Sequence, residues 1–420
     1  MRKKILKHSK EIKFFAKNAP LAIITSSLPG FVNYAVILLL SSLYTMEDVG
    51  HYRLLISYFA LMGLFSFLES SKIQIRIHAL EDEKASTALF FMRLYGIGIA
   101  TVIVAALAIF ESVCHINILP RGLLTVSLLA CVYYPTDLFF SLLQAQRRFS
   151  LLAGLSLLKY GAALVVFVAL MGLGSSVFFA TAMQIISMTA FNIAYYLIWA
   201  GRTLARNAAQ SANPLKLVAM PHTRESFTLS LANWLPSTLE HADKMIIGYF
   251  FGIETLGLYT LAFSTGRFIY NSLKPAFYIY YRNFVEKLPP RRLLAAVMAV
   301  FTLFGMGLSA AFYVGTFYIP FFTKFQGGEA VVYILFLSYG LAMTDAIYTQ
   351  SYGINKDAVS RHLLYANITI SLFCLSMFAF CVFVPRPMAL IICAMHYPIR
   401  HAGTLYFLSR LKNKTIKKQT

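Results

Sequence analysis

The sequence predicts an all-α polytopic membrane protein, with about twelve transmembrane helices in two six-helix bundles around a central cavity. Of its 420 residues, 58% are hydrophobic and only 13% are charged, whereas soluble domains average about 25% charged residues. The mean hydropathy is +0.66. A chain of this composition would expose more apolar surface than a soluble protein tolerates. The composition therefore excludes a soluble enzyme, a disordered protein and a secreted disulfide scaffold.

Individual spans follow from runs of about 20 apolar residues, the length that crosses a bilayer. The first run, residues 18–43, is too long for the hydrophobic part of a signal peptide and is predicted to be a membrane span. The predicted spans are centred near residues 31, 62, 100, 132, 162, 187, 237, 268, 306, 340, 372 and 398.

The net charge of +20 is distributed unevenly along these spans. With the N-terminus in the cytoplasm, 26 of the 37 Lys and Arg residues lie in segments on that side, and three lie on the other side. The cytoplasmic segments are then 1–17, 76–88, 144–150, 201–224, 282–292, 353–362 and 410–420. This asymmetry predicts that both termini are cytoplasmic. The positive charge thus reports orientation, and it gives no support to a nucleic-acid partner.

The longest loop, residues 201–224, is polar and basic and lies midway along the chain. It predicts a linker between an N-terminal six-helix bundle, residues 1–200, and a C-terminal six-helix bundle, residues 225–420. No loop is long enough to fold as a separate domain.

An internal repeat supports two halves. Residues 46–52 and 253–259 both read apolar-Glu-x-apolar-Gly-x-Tyr, at an offset of 207 residues. Asp137 in span four and Asp345 in span ten, each preceded by Thr, follow at nearly the same offset. Each half has an even number of spans, so the copies share one orientation. Parallel repeats of this kind are typical of transporters whose substrate site lies between the halves.

Span eight carries polar side chains on one face. Arg267, Asn271, Lys274 and Tyr278 are spaced by four, three and four residues, which places them together on a helix of 3.6 residues per turn. Arg267 falls near the membrane midplane. One interpretation is a ladder of cations for an anionic substrate. The alternative is that each cation pairs with an acid on a neighbouring span or snorkels to the headgroups.

Other ionisable residues inside the spans require a structural or functional explanation, because a charge at the bilayer centre costs about 2.5–3.5 kcal/mol. Cations outnumber acids, which predicts a net-positive cavity able to bind phosphate or another anion. Glu240 and Lys244 are also spaced to pair along one helix, which would leave Asp243 as a partner for another cation or as a coupling-ion site. The candidate cavity cations are Arg53, Lys159, Arg267, Lys274 and Arg400, and the candidate coupling or pairing acids are Asp137, Asp243, Asp345 and Glu240.

Span one is interrupted by Pro29 and Gly30. A broken helix frees backbone groups and can serve as a hinge during alternating access, although an ordinary kink has the same signature. The histidines and the five cysteines show no metal-ligand spacing, and no metal or other cofactor is predicted.

Three segments resemble Wzx-type polysaccharide flippases, members of the multidrug/oligosaccharidyl-lipid/polysaccharide (MOP) exporter superfamily. Residues 43–52 resemble the first loop of that family, residues 242–262 its seventh-to-eighth span signature, and residues 144–149 its fourth-to-fifth loop. The family's cationic cavity maps onto Arg53, Arg267 and Lys274. Its usual glycine near the end of span two is absent, since Phe-Leu-Glu-Ser stands at 67–70.

The resemblance implies a flippase rather than an enzyme. Its substrate would be an undecaprenyl-pyrophosphate-linked oligosaccharide, moved from the cytoplasmic to the periplasmic leaflet of a bacterial inner membrane by alternating access for O-antigen, capsule or exopolysaccharide synthesis. Implied partners are membrane lipids and the glycan polymerase and glycosyltransferases of the same pathway. A drug or cation antiporter of the same superfamily remains an alternative and predicts an acidic cavity. A membrane glycan polymerase or transferase would need a large outer loop or a transferase motif, and the sequence has neither.

Overall fold

The computed structural model describes residues 2–71, 73–74, 83–115, 120, 122–146, 148–210, 221–278, 290–353 and 357–416. Within those ranges the chain is helical and contains no strand. Its α-helices are α1 (Arg2–Leu43), α2 (Met46–Leu64), α3 (Glu83–Cys114), α4 (Leu123–Thr136), α5 (Leu138–Ala145), α6 (Phe149–Gly172), α7 (Val177–Gln210), α8 (Pro221–Phe251), α9 (Ile253–Tyr278), α10 (Arg291–Tyr318), α11 (Glu329–Leu337), α12 (Tyr339–Gly353), α13 (Asp357–Cys381) and α14 (Arg386–Ile416). A 3₁₀ helix, Pro320–Phe325, follows α10.

Each of the twelve predicted span centres lies in one of these helices, and the all-α polytopic fold is confirmed. Six described helices are long and apolar enough to cross a membrane, and a bent pair raises the number to as many as seven. Predicted span ten consists of two helices, α11 and α12, which meet at Ser338 with a bend of 46°. In span four, α4 and α5 continue through Asp137, whose backbone is helical, and form one apolar span, Leu123–Gln144.

The helices form two compact units. Unit 1 comprises residues 1–50 and 242–420, and unit 2 comprises residues 51–241. In unit 1, α1 packs along α9, α10 packs on α12, and α14 packs on α12 and α13. In unit 2, α3 packs on α4 and α6 packs on α7. The predicted linker at 201–224 stays a prediction: residues 201–210 continue α7, residues 221–224 begin α8, and residues 211–220 lie outside the described residues.

The two copies of the sequence repeat meet within unit 1. A Cβ atom on Gly50 would collide with the carbonyl oxygen of Ile253, and a Cβ atom on Gly257 would collide with the carbonyl oxygen of Met46. Each glycine thus contacts the residue four positions before the other glycine. This reciprocal contact is what a pseudo-twofold relation between the first turns of α2 and α9 produces. Glycine is present at both positions because each backbone approaches the other too closely for a side chain.

A capping box and a left-handed glycine explain why the chain turns at the starts of α2 and α9. The Thr45 hydroxyl accepts a hydrogen bond from the Asp48 N–H at 3.2 Å, and the Asp48 carboxylate accepts one from the Thr45 N–H at 3.1 Å. This is a capping box at the beginning of α2. Before α9, Gly252 has φ +91°, the left-handed conformation that commonly ends a helix and that glycine adopts without strain.

Candidate functional site

The cationic face of α9 lies inside unit 1. The Arg267 guanidinium is 5.0 Å from the ring centre of Tyr397 and 5.4 Å from that of Phe263. Lys274 Nζ lies 5.8 Å from the ring centre of Tyr270. Both cations are half-buried, and stacking on aromatic faces is a favourable setting for a charge with little water around it.

A carboxylate and a histidine adjoin this face. His401 Nδ1 on α14 lies 2.7 Å from an Asp345 carboxylate oxygen on α12, and the Thr349 hydroxyl donates to the other oxygen at 2.6 Å. The positive charges of Arg400 and Lys274 act on the His401 ring. Helices α9, α12 and α14 therefore bring three predicted cations and one predicted acid into one cluster.

A second acid, Asp243, is enclosed in the same unit. Lys244 Nζ donates to both Asp243 oxygens at 2.8 and 2.7 Å, and the Tyr259 hydroxyl donates to one of them at 2.7 Å. Lys244 Nζ also lies 4.1 Å from the Phe263 ring centre, so Phe263 stands between this pair and Arg267. Lys244 thus binds its neighbour Asp243, so Asp243 has a cation on its own helix.

Unit 2 holds its own ion pair. Lys159 Nζ lies 3.2 Å from Asp137 Oδ1 and donates to the Tyr133 hydroxyl at 3.1 Å. The Lys159 side chain is 0% exposed and the Asp137 side chain is 33% exposed. Asn192 Nδ2 approaches the same carboxylate at 3.5 Å. Asp137, at the junction of α4 and α5, thus lies within reach of side chains from α6 and α7.

Two further predicted residues, Arg53 and Glu240, belong to unit 2. Arg53 on α2 is half-buried, and its charge acts on the hydroxyl of its neighbour Tyr52. Glu240 is half-buried on α8. The binding roles of both residues stay predictions.

The predicted interruption of span one is wrong in one respect. Pro29 and Gly30 lie inside α1, which continues from Arg2 to Leu43. The helix tolerates them because neighbouring helices can satisfy freed backbone groups in a membrane. One turn further on, Tyr34 stacks on Phe268 of α9 at 4.6 Å. A hinge at Pro29 stays a prediction.

Two arrangements could not be found from the sequence. No spacing rule connects His401 with Asp345, 56 residues earlier. Arg93 is a charged residue within span three, and its partners depend on the fold. Among the described residues, no group of three or more His, Cys, Asp or Glu side chains could hold a metal ion.

No protein-family profile matches the chain, and no curated protein matches it in sequence. Solved structures do match. An inward-facing multidrug resistance MATE family transporter of the MOP superfamily aligns at TM-score 0.56 and 14% identity, over 95% of this chain and 99% of that one. The eukaryotic MATE transporter AtDTX14 aligns at TM-score 0.56 and 13% identity, over 96% of this chain and 95% of that one. A MATE in the bent conformation gives TM-score 0.53 and 16% identity, over 98% and 97%. The fold is therefore MATE/MOP-like, as the sequence predicts.

Proposed function

We propose that this protein is a transporter that moves an undecaprenyl-pyrophosphate-linked oligosaccharide from the cytoplasmic to the periplasmic leaflet of a bacterial inner membrane. The α9 cations Arg267 and Lys274 bind the pyrophosphate, and Arg400 contributes to the positive field around it. The sugars cross through a hydrated path, and the polyprenyl chain stays in lipid. In unit 2, Arg53 is kept as a further candidate cation, whereas Lys159 is enclosed and bound to Asp137.

The charge balance of the α8, α9, α12 and α14 cluster carries this proposal. Among the described residues, its permanent cations are Lys244, Arg267, Lys274 and Arg400, and its acids are Asp243 and Asp345. Both acids already have partners, since Asp243 binds Lys244 and Asp345 binds His401. Such a cluster favours an anion, because a cationic substrate would have to compete with Lys244 for Asp243 and with His401 for Asp345.

A drug or cation antiporter is the second candidate, and the fold alone fits it equally well. One observation favours it. Asp137 in unit 2 keeps 33% of its side chain exposed although Lys159 binds one of its oxygens, so a carboxylate oxygen is accessible there. An organic cation or a coupling ion could use that oxygen.

Experiments in the natural host distinguish the two candidate functions. We would delete the gene, restore it as wild type, Arg267→Ala, Arg267→Lys or Arg148→Ala, and determine on which leaflet a lipid-linked oligosaccharide accumulates. Arg148 is an exposed basic residue at the start of α6 and serves as the matched control. Resistance to cationic drugs is measured in the same strains.

We expect the intermediate to accumulate on the cytoplasmic leaflet in the deletion strain. Wild type and Arg148→Ala should clear it, Arg267→Ala should fail, and Arg267→Lys should restore part of the activity because it keeps the charge but loses the bidentate donors. Intact surface glycan without accumulation, in a host with no second flippase, would refute the proposal. Loss of drug resistance in the deletion strain, dependent on Asp137, would support the antiporter.

A further inference from the structure

Unit 2 contains an apolar cavity that the charge clusters do not use. Its volume is about 350 Å³, at the lower end of the range for ligand pockets, roughly 300–1,000 Å³. The lining consists of Phe67, Met92, Tyr95, Gly96, Ile99, Thr223, Arg224 and Phe227. Arg224 is the charged residue in this lining, and it is exposed.

One wall of the cavity is an irregular segment that follows α2. Helix α2 ends at Leu64, and Phe67 adopts φ +53°, a left-handed conformation that a bulky side chain rarely takes and that surrounding structure must hold in place. The Phe67 ring packs against Phe227 of α8 at 5.3 Å. On the opposite side, Gly96 of α3 lies so close to Phe67 that a Cβ atom there would collide with its ring.

Arg93 fixes this segment. Its guanidinium donates to the Leu68 carbonyl oxygen at 3.1 Å and to the hydroxyls of Ser70 at 2.5 Å and Ser71 at 2.6 Å. It also donates to the Tyr134 carbonyl oxygen on α4 at 2.9 Å, and its side chain is fully buried. Non-helical backbone inside a membrane needs such internal partners. The cavity wall is thus held in place by hydrogen bonds within unit 2.

The span centres predicted from the sequence give the depth of the cavity lining in the membrane. At ~1.5 Å per residue, Arg224 lies roughly 20 Å from the predicted centre of its span at residue 237, and Ile99 lies close to the centre of span three. The hydrocarbon core extends roughly 15 Å from the midplane. Arg224 therefore lies at headgroup level, and the apolar lining runs inward from it. Ile99 and Phe227 are 63% and 46% exposed, so the cavity opens toward the lipid.

We propose that this cavity binds one acyl chain of an anionic phospholipid of the cytoplasmic leaflet, with its phosphate on Arg224. The guanidinium can donate two parallel hydrogen bonds to a phosphate, and the start of the long helix α8 favours an anion at the same level. The aromatic rings of Phe67, Tyr95 and Phe227 line the path of the chain. The volume suits part of one hydrocarbon chain and is too small for an oligosaccharide. This site is separate from the proposed substrate site.

The test uses the full chain in nanodiscs that contain phosphatidylcholine with a small fraction of phosphatidylglycerol. After transfer to detergent, native mass spectrometry counts the retained lipids. We compare wild type, Arg224→Gln, Ile99→Trp and the control Arg148→Gln. Arg224→Gln removes the charge, and Ile99→Trp fills the inner end of the cavity. Size-exclusion profiles and thermal midpoints establish that each variant is folded.

We expect wild type and Arg148→Gln to retain one phosphatidylglycerol in preference to phosphatidylcholine. Arg224→Gln should reduce that preference about fivefold, the effect of one basic residue near an anionic surface. Ile99→Trp should reduce retention of both lipids. Equal retention of the two lipids by wild type, or identical behaviour of Arg224→Gln and Arg148→Gln, would overturn the proposal.

A competition experiment distinguishes two ligands that each carry a phosphate and a long apolar chain, a membrane phospholipid and undecaprenyl phosphate. Undecaprenyl phosphate is added at an amount equal to the protein. If the phosphatidylglycerol remains bound, the site belongs to membrane phospholipid as proposed. If undecaprenyl phosphate replaces it fully, the cavity is a substrate-tail site, and the phospholipid assignment is wrong although the flippase function would stand. Failure of the flippase test would leave this site unaffected.

Discussion

The two copies of the internal repeat resemble each other closely at one position and differ at another. Gly50 and Gly257 make reciprocal contacts, each with the backbone of the other copy. Asp137 and Asp345 also occupy matching positions in the sequence, yet their surroundings differ. Asp137 lies at the junction of α4 and α5 and binds a lysine, whereas Asp345 lies on α12 and binds a histidine.

The glycine contact and the aspartate contacts are constrained in different ways. A glycine required by close backbone contact is constrained in both copies, because neither backbone can move without the other. A carboxylate needs only some cation within reach, and different helices supply it. Lysine is a permanent cation at neutral pH, while histidine is charged only when it is protonated. The repeat therefore preserves geometry and lets the chemistry of its acids diverge.

The largest effect is expected from Asp137→Ala in unit 2. This substitution leaves the Lys159 ammonium, 0% exposed, without its carboxylate. Breaking a buried ion pair from one side costs about 3–5 kcal/mol. We expect about 3 kcal/mol, because the Tyr133 hydroxyl and three aromatic rings within 4.9 Å remain around Nζ. The thermal midpoint of the purified protein in detergent micelles measures the loss.

The control for this prediction is Asp137→Ala combined with Lys159→Met. Removal of both charges leaves no stranded ion, and apolar replacement of a buried pair is often neutral. The double variant should thus be more stable than Asp137→Ala alone. If the two variants unfold at the same temperature, Lys159 is solvated without Asp137, and the description of the Lys159 side chain as enclosed is wrong.

The glycine contact predicts the next largest effect. Gly50→Ala and Gly257→Ala each place a methyl group against a backbone carbonyl oxygen of the other copy. Overpacking of this kind costs about 1–3 kcal/mol. Because the contact is reciprocal, the two variants should be destabilised by similar amounts in the same thermal assay.

Gly98→Ala and Gly161→Ala are matched controls inside helices α3 and α6. A Cβ atom at either position meets nothing within 4 Å, and alanine favours a helix over glycine by about 1 kcal/mol. Both controls should be neutral or slightly stabilised. A large loss for Gly257→Ala with none for Gly50→Ala would show that the contact is not symmetric in energy.

The sequence predicts where the helices lie, but it does not predict which side chains meet between helices. The two repeat aspartates illustrate this. Apolar runs of about 20 residues and the placement of Lys and Arg depend on local composition, so every predicted span centre falls in a helix. The aspartates at 137 and 345 were recognisable as functional candidates for the same local reason. Their partners lie 22 and 56 residues away on other helices, and only packing decides which cation reaches each carboxylate.

Asp345→Ala should have the smallest effect of the three and tests the comparison directly. It removes the oxygens that bind His401 Nδ1 and accept from the Thr349 hydroxyl. The imidazole can remain neutral and exchange its tautomer, so no permanent charge is stranded. We expect a loss of about 1 kcal/mol, near the net value of one or two hydrogen bonds. In the same thermal assay at pH 7.5, Asp345→Ala should unfold above Asp137→Ala. The reverse order would mean that His401 behaves as a fixed cation like Lys159, and that the two repeats hold equivalent ion pairs after all.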